Sequence, residues 1–342
     1  MIQQITKNEL VTLFMGGITA FLLVLLISPS FIEAVRKAKF GQEVREEGPK
    51  AHLSKQGTPT MGGAVIVTGF LGALVISCIR EREVPVSLLQ ILLLTMGFGL
   101  SGFLDDFLKI TKHNSEGLSP KQKLLLQLIS AAAFAVWTYY VPAKGMAPGR
   151  IIIPFTGIGE AANGITLPVW IYVPFVILTA LGTDNGVNFT DGLDGLLSSV
   201  TIPVALFFLI VGSLVRGIWG ISLASAAMIG ALMGFLIFNA HPAKVFMGDT
   251  GSLAIGGFVA AAAVVSGCEL YILIVGFVYL AEVVSVIMQV TYFKATHGKR
   301  IFLMTPIHHH FELCGNSETR IVTAFTIITA FLAVLGLIGI WA

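Results

Sequence analysis

Apolar runs long enough to cross a lipid bilayer recur along nearly the whole of this chain, and they limit what it can fold into. A helix of about 20 apolar residues spans the roughly 30 Å hydrocarbon layer of a membrane. Hydrophobic residues make up 55% of the 342 residues and charged residues only 12%, whereas a typical soluble domain has about 25% charged residues. One globular core could not bury this many apolar side chains. The sequence therefore predicts an all-α polytopic membrane protein.

We expect about ten transmembrane helices, organised as a single domain over residues 1–342. The first apolar run is predicted to be a retained helix, because no small-residue cleavage pattern follows it. The predicted spans are 10–31, 61–79, 86–108, 122–141, 167–186, 196–215, 218–238, 252–266, 270–295 and 320–341.

Lysine and arginine are distributed unequally between the two sets of connecting segments that ten spans create. Fifteen of the 21 lie in or beside one set, which leaves six for the other set and the termini. Because short cytoplasmic loops are enriched in basic residues, the first set is predicted to be cytoplasmic and both termini extracytoplasmic. All four tryptophans then fall at outer helix ends, the depth that tryptophan prefers. The basic set comprises segments 32–60, 109–121, 187–195, 239–251 and 296–319.

The longest outer segment, about 142–166, is predicted to form a small β-hairpin. Two short stretches of β-forming residues, Ile151–Phe155 and Ile165–Leu167, flank a glycine-containing turn. The hairpin would lie on the membrane face opposite the basic segments.

The titratable groups also differ between the two faces. All seven histidines and all the aspartates fall on the predicted cytoplasmic side, whereas the outer segments contain a few glutamates but neither histidine nor aspartate. A structural protein has no need for this distribution, but an enzyme that takes a water-soluble substrate from the cytosol does. The aspartates are Asp105, Asp106, Asp184, Asp191, Asp194 and Asp249.

Two adjacent aspartates, Asp105 and Asp106, end the third predicted span in the run GFLDDFLK. Two carboxylates at a membrane edge repel each other and favour a bound cation. Neighbouring helical residues point about 100° apart, so one could bind metal or act as a base while the other pairs elsewhere. The alternative is an acidic helix end neutralised by a lysine such as Lys109.

A second acidic run, GTDNGVNFTDGLDGL, lies between the fifth and sixth predicted spans. Asn188, Asp191 and Asp194 recur at every third residue, which predicts that they share one helical face. Gly192 and Gly195 allow a ligand to approach the backbone closely. This density of carboxylates and carboxamides favours a binding site over a glycine-rich turn with Asn and Asp caps.

Asp249 lies in FNAHPAKVFMGDTGSL, just before the eighth predicted span. Free N–H groups at a helix N-terminus can hold a phosphate, although an ordinary N-cap is also consistent with the sequence. The triplet His308–His310 follows in the last basic segment. Three consecutive residues cannot readily ligate one tetrahedral ion, so we interpret these imidazoles as contacting phosphate or orienting a substrate.

Carboxylates, glycines and lysines such as Lys55 and Lys121 are together the groups that phosphoryl transfer uses. Mg²⁺ typically takes one or two carboxylates together with substrate phosphates. Each lysine taken alone is also explained by the positive-inside bias.

These segments together resemble the phospho-N-acetylmuramoyl-pentapeptide transferase family. The resemblance covers almost the whole chain, including the ten-span topology with both termini outside. The aspartate motifs are shared with the wider superfamily of polyprenyl-phosphate N-acetylhexosamine-1-phosphate transferases, whereas GTPTMGG and the histidine triplet are more specific. The matching segments are HLSKQGTPTMGG at 52–63, GFLDDFLK at 102–109, NFTDGLDGL at 188–196, FMGDTGSL at 246–253 and MTPIHHHFE at 304–312.

The resemblance implies that UDP-N-acetylmuramoyl-pentapeptide donates phospho-N-acetylmuramoyl-pentapeptide to undecaprenyl phosphate, giving lipid I and UMP, with Mg²⁺ as cofactor. This is the first membrane step of peptidoglycan synthesis, catalysed in the bacterial cytoplasmic membrane by an active site that faces the cytoplasm. The resemblance also implies a homodimer, contact with membrane lipid and no nucleic-acid partner. Either the lipid phosphate attacks directly or an aspartate first forms a covalent intermediate.

Residue roles follow from the positions that match the family's motifs. The resemblance implies that Asp249 binds the metal and that Asp105 is the base. The catalytic group would comprise Asp105, Asp106, Asp249 and His308. The nucleoside pocket and the other substrate contacts would comprise Asn188, Asp191, Gly192, Phe246, Lys55, Thr60, Lys121 and Asn239.

Two other functions are weighed against this one. A sister enzyme would transfer N-acetylglucosamine-1-phosphate from its UDP donor to a polyprenyl phosphate, and the histidine triplet with GTPTMGG argues against it. A transporter would need charged groups near mid-span that both sides of the membrane can reach, whereas here only Glu282 is a plausible mid-membrane charge.

Overall fold

The computed structural model describes residues 5–38, 55, 57–112, 117–156 and 164–341. His52 and His113, two of the seven histidines, lie outside these residues. The described helices and strands are α1 (Lys7–Lys37), α2 (Gly63–Glu81), α3 (Val86–Lys112), α4 (Pro120–Tyr140), β1 (Arg150–Ile152), β2 (Gly164–Thr166), α5 (Val169–Thr190), α6 (Leu196–Ile210), α7 (Trp219–Asn239), α8 (Gly248–Ser266), α9 (Ile272–Val275), α10 (Phe277–Ala295), α11 (Ile307–Leu313) and α12 (Glu318–Trp341).

Eight of the described helices are long and apolar enough to cross a membrane, judged by length and composition. The fourth and fifth predicted spans are present as α4 and α5, with 21 and 22 residues. Polar residues lower their hydropathy, at the start of α4 and at the end of α5. The predicted class, an all-α polytopic membrane protein, is confirmed, and the count of ten spans stays a prediction. The eight are α1, α2, α3, α6 with the π-helical turn Val211–Arg216 that follows it, α7, α8, α10 and α12.

The ninth predicted span, 270–295, is not one continuous helix. A 3-10 turn at Glu269–Tyr271 leads into the short α9, and α10 begins only after Gly276. A Cβ at Gly276 would lie 2.8 Å from the Ile272 carbonyl oxygen, closer than real Cβ atoms approach. The prediction is wrong here because a glycine within an apolar run allows the chain to turn without interrupting the hydropathy pattern.

The predicted hairpin is confirmed. Strand β1 pairs antiparallel with β2, and Ile151 lies opposite Ile165. The Ile152 N–H donates to the Gly267 carbonyl at 2.9 Å, just past the C-terminal end of α8. Because α8 has 19 residues, its two ends lie about 28 Å apart at 1.5 Å per residue. The hairpin and the start of α8 are therefore at opposite ends of the bundle.

Helix α8 is the central helix, buried along almost its whole length between α3 and α5. Glycines let its neighbours reach its first turn. A Cβ at Gly102 of α3 would lie 2.1 Å from the Asp249 carbonyl oxygen, and one at Gly63 of α2 would lie 2.1 Å from the Gly251 nitrogen. This close approach brings the residues one turn beyond Gly102 next to Asp249.

Candidate active site

Three carboxylates meet where α3 approaches the start of α8. One oxygen from each of Asp105, Asp106 and Asp249 lies within 4.8 Å of the other two. The Asp105 and Asp106 side chains are buried and that of Asp249 is half-buried. Hard divalent cations prefer carboxylate oxygens as ligands. The donor set therefore suits such an ion.

The two adjacent aspartates have different partners. Asp106 Oδ2 accepts hydrogen bonds from the Thr250 N–H at 2.9 Å and the Thr250 hydroxyl at 2.7 Å, and Asp106 Oδ1 accepts from the Asp249 N–H at 3.2 Å. N–H groups in a first helical turn have no partner within the helix, and a negative charge there is stabilised. Asp106 thus caps α8, and two of the N–H groups that could otherwise hold a phosphate are occupied.

Two lysines neutralise the remaining carboxylates. Lys109 Nζ lies 2.5 Å from Asp105 Oδ2 and 3.0 Å from Asp249 Oδ2. Lys123 Nζ lies 3.1 Å from the same Asp249 oxygen. Our alternative interpretation, in which Lys109 neutralises the acidic helix end, therefore describes a real contact within the carboxylate cluster.

Lys121, the predicted substrate contact on α4, is not brought to this cluster. It is exposed, and no ion pair joins it to another residue in the described part of the chain. Residues two apart on a helix point about 200° away from each other, so only one of Lys121 and Lys123 can face inward. Lys123 precedes the buried Gln127 and Ala131 by four and eight residues. The helical period could therefore have identified Lys123, which sequence reasoning missed.

Asn188 connects α5 to the carboxylates. Its Nδ2 donates to Asp249 Oδ1 at 3.0 Å and to Ser252 Oγ at 2.8 Å. The expected shared helical face of Asn188, Asp191 and Asp194 is wrong, because α5 ends at Thr190 and the following residues form turns. Only the first of the three lies on a helix.

Asp191 lies just beyond α5 and is half-buried. Burial and the nearby negative charges of Asp249, Asp106 and Asp194 raise the pKa of the Asp191 carboxyl well above its usual range. A cation or a hydrogen-bonding ligand in this turn would relieve that repulsion. The position is therefore suited to binding.

A second polar cluster surrounds Lys55. Its Nζ lies 2.8 Å from Asp194 Oδ1 and 2.5 Å from Glu318 Oε1, and His241 Nδ1 lies 3.0 Å from Asp194 Oδ2. Burial lowers the pKa of the Lys55 ammonium, but the hydrogen bonds to the two carboxylates outweigh burial and raise it above its usual value. Sequence reasoning missed Glu318, since an acidic residue in a first helical turn is common for other reasons.

His308 is the member of the histidine triplet that faces the acidic turn, residues 191–195, which follows α5. It is fully buried, with Nδ1 3.1 Å from Glu282 Oε1. A Cβ at Gly192 would lie 2.2 Å from His308 Nε2, so the ring lies against that glycine. Glu282 is itself fully buried, so it faces protein and not lipid.

Thr60 and Phe246 lie beside the capped start of α8. The Phe246 N–H donates to the Pro59 carbonyl at 2.8 Å, which pairs the two segments. A Cβ at Gly248 would lie 2.8 Å from Asp106 Oδ2 and 3.2 Å from Thr60 Oγ1. The φ of Gly248 is also +75°, in the left-handed region where glycine is favoured.

Asn239 is buried, and both ends of its amide contact the backbone. Its Oδ1 accepts from the Gly195 N–H at 3.0 Å, and its Nδ2 donates to the Val245 carbonyl at 2.9 Å. In this structure it joins the acidic turn to the segment that leads into α8. Its predicted contact with substrate stays a prediction.

Comparison with known proteins finds similar sequences over most of this chain. The model of Glycosyl transferase family 4 matches residues 88–267. A phospho-N-acetylmuramoyl-pentapeptide-transferase from Bacillus mycoides (strain KBAB4) is 46% identical over 324 residues, which cover 94% of this chain and 96% of the relative. The protein of the same name from Bacillus thuringiensis (strain Al Hakam) has the same identity and coverage.

Proposed function

This chain belongs to the phospho-N-acetylmuramoyl-pentapeptide-transferase family, and from that we propose that it transfers phospho-N-acetylmuramoyl-pentapeptide from its UDP donor to undecaprenyl phosphate. The products are lipid I and UMP, in the first membrane step of peptidoglycan synthesis. The sister reaction with UDP-N-acetylglucosamine is not favoured, because the relatives that cover nearly the whole chain carry the pentapeptide name.

The observation that best supports this function is the meeting of three carboxylates with two ammonium groups at one end of the bundle. An acceptor phosphate oxygen attacks the β-phosphorus of the UDP-sugar, the bond from that phosphorus to the bridging oxygen breaks, and UMP leaves. Both substrates are anionic at the reacting atoms. Lys109 and Lys123 are long enough to turn from Asp249 towards these phosphates, where they would orient them and stabilise developing charge.

We propose Mg²⁺ as the cofactor, held by Asp249. Asp249 Oδ2 has lysine ammoniums as its partners, and these can give way to another cation. Asp106, in contrast, is committed to the N–H groups of α8. When bound, the metal would neutralise phosphate charge and orient the donor. Asp105, once Lys109 turns to substrate, is placed to take a proton from the acceptor phosphate.

The nucleoside would bind around the acidic turn. Asp191, Gly192 and the ring of His308 lie there, and Phe246 offers a half-buried aromatic face on which uracil could stack. Lys55, held by Asp194 and Glu318, provides a fixed positive charge nearby.

In the membrane, we propose that the carboxylate end of the bundle faces the cytoplasm of a bacterium and the hairpin faces outward. The concentration of lysine and arginine in the segments at the carboxylate end supports this orientation. A homodimer is proposed from the family resemblance. Crosslinking of the purified protein in detergent would test it, and a monomer band without a dimer band would contradict it.

The function is tested by incubating the purified protein with undecaprenyl phosphate, Mg²⁺ and one UDP-sugar at a time. UDP-N-acetylmuramoyl-pentapeptide should release UMP and form a lipid-linked product, and EDTA should stop the reaction. Asp249→Asn should lower turnover by at least about a hundredfold, the scale of losing one charge that stabilises the transition state. UMP release from UDP-N-acetylglucosamine alone would contradict the proposal.

Glu33→Gln is the matched control for the loss of one carboxylate. Glu33 is exposed on α1 and pairs only along its own helix with Lys37 among the described residues. Its replacement should leave UMP release within about twofold, because exposed pairs on a helix contribute little.

A further inference from the structure

A layer of polar side chains lies one helical turn deeper in the bundle than the residues that hold Asp249. Lys123 of α4, Asn188 of α5 and Ser252 of α8 surround Asp249. Residues four positions along a helix lie on the same face. The corresponding residues of the deeper layer are Gln127, Asp184 and Gly256.

These deeper residues contact one another. Gln127 Nε2 donates to Asp184 Oδ2 at 2.6 Å, and both side chains are buried. Asp184 Oδ1 has no hydrogen-bond partner in the described part of the chain. A Cβ at Gly256 would lie 2.2 Å from that oxygen, so the carboxyl group occupies space that only a glycine on α8 leaves.

The burial of Asp184 is energetically costly for the folded protein. It is 0% exposed inside a bundle of apolar helices, where an ionisable side chain is costly and usually has a functional reason. A well-packed apolar residue in place of a buried polar pair is often neutral or stabilising. The packing of α4, α5 and α8 could therefore be achieved without a carboxyl group at this point. What it adds is a directional contact to α4, one turn below Lys123.

We propose that Asp184 is a positioning residue for the transfer reaction, which fixes α4 through its hydrogen bond with Gln127, one helical turn from Lys123. Lys123 is thereby held where it meets Asp249 and the substrate phosphates. This inference rests on the proposed function. Asp184 does not touch substrate, and it acts on the chemistry only through Lys123.

The test is a double-mutant cycle with shape-matched apolar replacements, Asp184→Leu and Gln127→Met, in the full-length protein purified in detergent. Each variant is assayed for kcat, for KM of the UDP-sugar and for the thermal midpoint. Each single change leaves one buried polar group without a partner and should lower the midpoint. The double variant joins two apolar side chains and should regain the wild-type midpoint.

We expect kcat to fall about tenfold in Asp184→Leu and to stay that low in the double variant, with KM within twofold of the wild-type value, the outcome of losing an interaction needed only in the transition state. A double variant that regains kcat together with its midpoint would show that Asp184 serves only the fold. An unchanged kcat in Asp184→Leu, or a double variant that regains neither quantity, would also overturn the proposal.

Thr95→Val is the control for a buried polar group without this link. Thr95 of α3 is 0% exposed and its hydroxyl has no hydrogen-bond partner among the described residues. The change should leave kcat and KM as they are. Wild-type protein that releases no UMP would refute the proposed function itself. If the wild-type protein is active and the Asp184 variants have the same kcat, only this inference is refuted.

Discussion

At the scale of single residues, neighbouring positions in this site have different partners. Asp105 and Asp106 are adjacent, yet the first pairs with a flexible lysine and the second caps a helix. Backbone N–H partners cannot move away, whereas a lysine can turn to a phosphate. We therefore regard Asp105 and Asp249 as the carboxylates available for chemistry, and Asp106 as the residue that fixes the start of α8.

Lys121 and Lys123 provide a sharp test of this view. Lys123→Met should lower kcat by at least about a hundredfold, because it removes a charge that meets Asp249 and, in the proposed reaction, the reacting phosphates. Lys121→Met should change kcat by less than about threefold, since an exposed ammonium gains little from its surroundings. UMP release by the two purified variants measures both values. Equal losses of kcat in the two variants, or a larger loss in Lys121→Met, would show that Lys121 belongs to the site.

The sequence identified most of this site because its residues are dense and chemically distinctive. Asp105, Asp249 and Asn188 were found from their motifs. Lys123 was missed because its value depends on which face of α4 points inward. Glu318 was missed because it meets Lys55 from 263 residues away, and no local pattern signals such a contact.

At the scale of helices and turns, the ends of α5 and α8 decide the site's geometry. The three-residue spacing of Asn188, Asp191 and Asp194 predicts a helical face, but the glycines Gly192 and Gly195 follow immediately and α5 ends at Thr190. Glycine-rich turns compete with helical periodicity, and here the turn prevails. This turn directs Asp194 towards Lys55 and away from Asp249.

The turn at the other end of α8 has a pH-dependent stability. Glu269 is 3% exposed, and burial raises the pKa of its carboxyl from 4.5 to about 8. Between these two values the folded protein holds a proton that the unfolded chain has released, so stability must fall as pH rises through that window. The slope is at most about 1.4 kcal/mol per pH unit.

Glu269→Gln should remove this dependence. The thermal midpoint of the purified variant should exceed that of the wild type by a margin that grows from about pH 5 to about pH 8 and then levels off. Light-scattering or fluorescence melts in one detergent at several pH values measure the margin. Parallel curves for the two proteins would mean that Glu269 stays ionised in the folded state. Activity at pH 7 should be unaffected, because this turn and the carboxylates lie at opposite ends of α8.

At the scale of the whole molecule, hydropathy alone predicted the class of fold, since apolar runs have few alternatives in a membrane. It could not predict where a span breaks, because the chain turns at Gly276 within an apolar run and the hydropathy pattern continues through the break. It also could not reveal that α8 is central, because centrality depends on glycine contacts between helices that are distant in the chain.

The orientation of the bundle can be tested with the protein's own cysteines. Cys314 is exposed, Cys78 is half-buried and Cys268 is buried. Cys314 follows α11 in the last basic segment, at the carboxylate end. A membrane-impermeant maleimide should therefore label it in inverted membrane vesicles but leave it unlabelled in intact cells, if this segment is cytoplasmic as we propose from the positive-inside bias.

Cys314→Ser should abolish the signal in inverted vesicles, which identifies the labelled residue. In that variant, Lys144→Cys introduces a thiol at an exposed position beside the hairpin and should reverse the pattern, so that intact cells are labelled. The two thiols report opposite ends of the same bundle, and they must exchange accessibility if the chain spans the membrane in the proposed direction. Labelling of Cys314 in intact cells would place the carboxylates outside, where a cytosolic UDP-sugar could not reach them.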